Sequence, residues 1–385
     1  MKYIFALLIT YSLIISSFQK YPDSSLTYST ENWMSNLPDD KLVLLINIPG
    51  AHDTAANEMV PLAESLGRTQ NRTIPELLKF GVRKLDIRVA LFDTPPEDVD
   101  DNLHTCHGIF DCYYIDEYNT TRNLTYKHIL LDIKKFLEEN PSETVILWTQ
   151  SEKGDSSENI KRAVELMDKY IGDIFVKYDK KLKLGDVRGK IISTVYKYYD
   201  EEGHEYYHKG IDGGSDLEEI HWKFIDNYYY NSWEVTGEIK IQEVLEFLRT
   251  YNISIKTAEE NFEKDIDTFP YCYPVSCTGE HQSILPFPKI QADIVNPFML
   301  EYDFMKGYYY GWIEMDYVTL KLAKKIIDIA KEHSVPVIEN APVARALYKM
   351  VDLNQQIPPE LYKAIAEILL FVYNLKNTTN KGHIK

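Results

Sequence analysis

Two histidines and an arginine stand in short polar segments that follow apolar runs. His52 lies in Ile48-Pro49-Gly50-Ala51-His52-Asp53, Arg88 in Leu85-Asp86-Ile87-Arg88, and His107 in Leu103-His104-Thr105-Cys106-His107-Gly108. Imidazole titrates near neutral pH, so two rings tuned to opposite protonation states can serve as base and acid in one reaction. A guanidinium matches the non-bridging oxygens of a phosphate. The set suits cleavage of a phosphodiester by an internal hydroxyl: one ring takes the hydroxyl proton, the other protonates the leaving oxygen, and the arginine absorbs charge. That chemistry requires no metal. Taken singly, each residue has a plainer explanation. A histidine after a strand is more often structural, His104 competes with His107, and Arg88 can simply pair with Asp86, which shares its face at strand spacing.

The elements that must bring them together alternate. Strand-like apolar runs fall at 42–48, 82–89, 144–149, 190–195 and 310–315, and helical periodicity at 126–139, 157–170, 239–251 and 319–332. Such alternation predicts an α/β fold, either a barrel or a doubly wound sheet. In a barrel the carboxyl ends of the strands line the site, and residues leaving the strands there converge. The acidic stretch 93–101, with Pro95-Pro96, reads as a loop, as does 203–214. The last part, 334–385, reads as an extension packing on the barrel, with an amphipathic helix at 359–375.

Residues 1–20 have the charged, apolar, small-residue order of a secretory signal, and their apolar run is shorter than the ~20 residues that span a bilayer. A secreted, extracellular protein is expected. Cys106 with Cys112 and Cys272 with Cys277 could each close a small loop in an oxidising compartment, although four cysteines allow three pairings. A zinc site lacks the CxxC spacing. Sequons at Asn71, Asn119, Asn123, Asn252 and Asn377 fit a glycosylated eukaryotic protein. The 29 tyrosines argue against long disorder, and a net charge of −17 opposes nucleic acid.

Several ordered strings resemble a known family. Asn32-Trp33-Met34-Ser35-Asn36-Leu37-Pro38 precedes Asn47-Ile48-Pro49-Gly50-Ala51-His52-Asp53-Thr54; then come Gly81-Val82-Arg83-Lys84-Leu85-Asp86-Ile87-Arg88, His107-Gly108, Asn140-Pro141-Ser142-Glu143-Thr144, Lys183-Leu184-Gly185-Asp186-Val187-Arg188 and Gly311-Trp312-Ile313-Glu314-Met315-Asp316-Tyr317. They are similar, in order, to the bacterial-type phosphatidylinositol-specific phospholipases C. The resemblance implies a distorted TIM (β/α) barrel over 28–333, with His52 as general base, Asp316 orienting it, His107 as general acid, Asp53 assisting that acid, and Arg88 holding the phosphate. It also implies no cofactor and no catalytic metal, because calcium-dependent relatives carry an acid where this chain has Arg88. The expected partner is a phosphatidylinositol-type lipid or glycolipid at a membrane surface, met by a monomer.

Two positions depart from the family pattern. Gln150 and Tyr196 stand where the bacterial enzymes carry a lysine and an arginine that contact inositol, which leaves the headgroup open; both are candidate substrate contacts. Two rival readings follow. One is a catalytically silent protein that binds a lipid headgroup or glycan on the same barrel. The other is a metal-dependent enzyme resembling the glycerophosphodiesterases, whose carboxylate-rich site would be disturbed by Arg88.

Overall fold

The computed structural model describes residues 30–332, less 94–95, 97, 196–197, 200–204, 207–240, 243, 246–247, 249–252, 266–273, 277–287 and 306. The expected signal, the 334–385 extension with its helix, most of the helix at 239–251, most of the loop at 203–214, Tyr196, Cys272, Cys277, Asn252 and Asn377 fall outside these residues; of that loop Glu205–Tyr206 are described, as a short strand paired with Tyr198–Tyr199.

One nine-stranded sheet organises the molecule. Its strands are β1 (Ile48–Ala51), β2 (Lys84–Leu91), β3 (Leu103–His107), β4 (Phe110–Asp111), β5 (Val145–Ser151), β6 (Phe175–Lys177), β7 (Ile191–Val195), β8 (Pro274–Ser276) and β9 (Trp312–Met315). Seven follow the order β8-β9-β1-β2-β5-β7-β6, with every neighbour parallel. The hairpin β3-β4 joins antiparallel on the outer half of β2. Helices α1 (Pro61–Gly67), α2 (Ile74–Phe80), α3 (Tyr126–Glu139), α4 (Ser156–Ile171), α5 (Pro288–Glu301) and α6 (Leu320–Glu332) accompany the strands. This strand–helix alternation with a parallel sheet is the layout of the expected (β/α) barrel fold.

Local chemistry explains the helices. Helix α3 starts where the Thr125 side chain accepts from the His128 amide, and it ends at Asn140, ahead of Pro141, which disfavours helical backbone before it. Its buried residues Ile129, Leu130, Ile133, Phe136 and Leu137 recur at helical spacing on one face. Helix α2 opens with a reciprocal cap between Thr73 and Glu76 and closes on Gly81, whose φ of 99° suits glycine. Each buried leucine or isoleucine contributes about 1.5–3 kcal/mol by leaving water.

The expected strand at 42–48 is corrected. Only Ile48 enters β1, and Val43–Leu45 form a 3-10 turn whose Val43 amide donates to Leu182. The run is apolar because it caps the barrel's amino end. Val43, Leu44, Leu45 and Ile46 pack with Trp33, Met34, Ile146, Ile192 and Trp312 in a second core beneath the strands. A fully buried turn and a fully buried strand have the same continuous apolar signature. The larger core lies between the sheet and helices α2 to α6. Tyr309 and Tyr310 belong to these cores, so the Tyr308-Tyr309-Tyr310 run is packing. Among the described residues, no helix is long and apolar enough to cross a membrane.

Candidate active site

Period-two alternation along parallel strands stacks polar residues in layers inside the sheet. Gly50 of β1 lies in register with both Lys84 and Glu314. A Cβ at Gly50 would press on the Lys84 side chain and the Ile313 carbonyl, both at 3.3 Å, so glycine lets the Lys84 and Glu314 side chains meet at 2.5 Å across it. One layer outward stand His52, Asp86 and Asp316, and beyond them Arg88 is in register with Gln150 of β5. The expected site residues described by the structure, His52, Asp53, Arg88, His107, Gln150 and Asp316, therefore gather at one end of the strands.

Two turns hold the carboxylates. Asp53 has φ of 39° and Tyr317, which follows Asp316, has φ of 48°, a region that L-residues seldom adopt. Thr69 and Gln70 hold both turns at once. The Thr69 hydroxyl donates to the Asp53 carbonyl at 2.8 Å and the Thr69 carbonyl accepts from the Tyr317 amide at 2.6 Å. The Gln70 amide donates to the carbonyls of His52 at 2.8 Å and Met315 at 3.0 Å, and its oxygen accepts from Val318. Asn296 of α5 donates to the Asp316 carbonyl at 3.0 Å. None of these three residues stood out in the sequence, because polar residues in loops and on helices carry no period.

The ring nitrogens can be assigned from their neighbours. Arg88 Nη2 lies 2.9 Å from His52 Nε2, and a guanidinium can only donate, so Nε2 accepts and Nδ1 carries the proton toward Asp316 Oδ1 at 2.8 Å. Burial works against a charge on His52, but Asp316 outweighs it by charge and hydrogen bond, with Arg88 opposing, and the pKa is raised to about 9. A proton on Nε2 and the Arg88 contact exclude each other. His52 is thus a strong base at whose Nε2 a proton and Arg88 compete. His107 Nδ1 donates to the Gly67 carbonyl at 2.6 Å and lies 3.4 Å from Asp53 Oδ2, which leaves Nε2 as its reactive nitrogen. The two rings are 6.3 Å apart and nearly perpendicular.

The acids differ by environment. Asp53 is fully buried, and among the described residues neither of its oxygens takes a hydrogen bond. Burial pushes its pKa up to about 6 against the pull of His107 and Arg88. Asp86 accepts from the Asp53 amide at 3.1 Å; burial raises it, but Arg88 and Lys84 prevail and hold it at about 2. Glu152, just beyond β5, is a further site residue. It accepts from Arg88 Nη1 at 3.2 Å and from the Gly108 amide at 2.7 Å. Its signal was its position two residues after Gln150, which puts both on one face.

His104 is a structural histidine. It stacks on Phe92 at 4.0 Å and meets Asp111 at 3.0 Å. Lys153, next to Glu152, also pairs with Asp111, at 2.7 Å. The expected disulfide between Cys106 and Cys112 is absent: both are free thiols. In the hairpin Cys106 lies opposite Asp111, while the Cys112 amide donates to Thr105, so the two cysteines are offset in register. Asp53, His107 and Glu152 lie close enough together to share a metal ion. Arg88 already faces both carboxylates, at 3.7 Å from Asp53 and 3.2 Å from Glu152, and its charge opposes a cation there.

Two families answer to different parts of the chain. A family model described as the FlhB HrpN YscU SpaS Family matches residues 319–372. The Flagellar biosynthetic protein FlhB of Bacillus subtilis is 42% identical over 97 residues, 23% of this chain and 25% of that protein. The 1-phosphatidylinositol phosphodiesterase of Listeria monocytogenes is 31% identical over 173 residues, 43% of this chain and 48% of that protein. The chain thus spans a quarter and about half of the lengths of these curated relatives. The solved structure of the phosphatidylinositol-specific phospholipase C from Listeria monocytogenes superposes with a TM-score of 0.53 at 21% identity, covering 78% of this chain and 99% of that one. The FlhB-like match begins before α6, yet Leu322, Ala323 and Ile326 of that helix pack in the same core as β1 and β9. By sequence over about half of the relative's length, and by fold, the part of the chain that carries the site is similar to the bacterial phosphatidylinositol-specific phospholipases C.

Proposed function

We propose that the protein is a phospholipase C-like phosphodiesterase that cleaves phosphatidylinositol-type lipids to diacylglycerol and a cyclic inositol phosphate. The observation that carries this reading is the disposition of three groups: the His52 and His107 rings stand 6.3 Å apart, and Arg88 Nη2 lies 2.9 Å from His52 Nε2. His52, oriented by Asp316, takes the proton of the hydroxyl next to the phosphate. Arg88 leaves His52 for the phosphate's non-bridging oxygens, and the charge that grows there is met by its guanidinium. His107, supported by the Asp53 charge, protonates the departing glycerol oxygen. The nucleophile belongs to the substrate, so the first product is the cyclic phosphate.

No metal enters these steps, since Arg88 supplies the positive charge a cation would bring. Secretion of the protein and action as a monomer at a lipid surface belong to the same reading. Gln150, level with Arg88, is then a neutral contact for the headgroup ring, and Tyr196 a second. The test is phosphorus NMR of the protein with phosphatidylinositol micelles in chelator. A cyclic inositol phosphate at the earliest times is expected. Acyclic phosphate alone would exclude the internal nucleophile, activity only after adding a divalent ion would exclude metal independence, and lipid binding without product would support the silent binding protein.

A further inference from the structure

Arg88 is surrounded by acceptors of unequal freedom. Asp53 and Asp86 lie 3.7 and 3.6 Å from it, both buried, and Asp86 is fixed by the Asp53 amide. Glu152 is the more exposed acid, and one carboxylate makes two contacts, Oε2 to Arg88 Nη1 and Oε1 to the Gly108 amide. Gly108 follows His107 directly in the tight turn between β3 and β4. Its φ of 56° is left-handed, and a Cβ there would meet nothing within 4 Å. No side-chain packing therefore fixes the turn from that point, whereas the Glu152 contact does.

We propose that Glu152 is a positioning residue whose carboxylate competes with the substrate's phosphate for Arg88 and, through the Gly108 amide, ties Arg88 to the turn that carries His107. Two anions cannot share Nη1 without repulsion, so a phosphate on Arg88 displaces that half of the Glu152 contact. The Gly108 half remains, and it holds His107 beside the leaving oxygen. Part of the phosphate's binding energy is spent on this displacement, and the return is a placed acid. The inference rests on the proposed reaction for its catalytic half and on inorganic phosphate alone for its binding half.

The experiment compares the unmutated protein with Glu152→Gln, Glu152→Ala and Arg88→Ala. Inorganic phosphate is titrated by calorimetry, and kcat and KM are measured on phosphatidylinositol micelles. Glu152→Gln keeps a carbonyl for Gly108 and loses the charge on Arg88, so it binds phosphate about tenfold more tightly. Glu152→Ala also binds phosphate more tightly but loses the tether, and its kcat falls about 10²-fold while Glu152→Gln stays within tenfold. Arg88→Ala loses phosphate binding. Phosphate affinity unchanged in both Glu152 variants, or equal loss of kcat in the two, overturns the proposal. If the unmutated protein does not turn over the lipid, the proposed reaction fails, and the phosphate titration by itself still decides the competition.

Discussion

Two arginines five residues apart, one just before β2 and one within it, live in opposite conditions. Arg83, just before β2, is fully buried and fully satisfied. It donates to Glu143 at 2.8 and 3.0 Å, to the carbonyls of Leu78 and Val82 at 2.8 Å and of Glu31 at 2.6 Å, and its guanidinium lies over Phe136. Glu143 completes the set by accepting from the Met34 amide and the Ser142 hydroxyl. Arg88, at the strand's other end, faces more acceptors than it can bond well, beside an Asp53 whose oxygens take no hydrogen bond from the described residues. At the amino end of the barrel the polar groups are spent on holding the chain together. At the carboxyl end they are kept in reserve, which costs stability and leaves groups ready for a ligand.

The contrast can be broken by substitution. The largest effects are expected on turnover: His52→Ala and His107→Ala each lose about 10²–10⁴-fold in kcat. Next comes the exchange at the satisfied end. Glu143→Ala strands the Arg83 charge and costs about 3–5 kcal/mol of stability by denaturant titration. An equal loss from Asp53→Asn would erase the distinction between the two ends.

Asp53→Asn is expected to do the reverse. The folded pKa of Asp53, about 6, lies above its unfolded value, so ionising it costs stability as pH rises from about 4 through about 6. The variant should match the parent near pH 4 and exceed it at pH 7, at up to about 1.4 kcal/mol for each pH unit of the window, while losing turnover. The smallest effect concerns the acidic limb of the rate profile, which the base sets because it must be unprotonated to act. Two unperturbed imidazoles would place both limbs between about 5 and 8. Asp316 moves the lower one upward by favouring protonated His52. Asp316→Asn should bring it down, and a limb that stays in place would remove Asp316 from its orienting role. For stability the sign is opposite to that of Asp53: the His52–Asp316 contribution is present below pH about 6.5 and is lost as pH rises through about 9.

Much of this arrangement was legible in the residues. The runs at 82–89, 144–149, 190–195 and 310–315 became β2, β5, β7 and β9, because buried parallel strands read as continuous apolar segments. The run at 42–48 misled for the same reason, since a buried cap beneath the barrel looks identical. The juxtaposition of His52, Arg88, His107 and Asp316 could be anticipated from the ordered motifs, although Asp316 lies 264 positions from its partner. Glu152 was overlooked because a charged residue after a strand is ordinarily solvated. Thr69 and Gln70 were hidden because their work depends on two left-handed turns, at Asp53 and Tyr317, that a sequence does not display. The cysteine spacing suggested a bridge that the hairpin register opposes.

The most direct test separates the two histidines by what the leaving group needs. Each alanine variant is assayed on phosphatidylinositol and on a nitrophenyl ester of inositol phosphate, whose phenolate departs without a proton. The account predicts that His107→Ala recovers most of its lost rate on the nitrophenyl ester while His52→Ala remains impaired on both. Equal losses for His107→Ala on the two substrates would contradict its assignment as the acid, and with it the division of labour across the site.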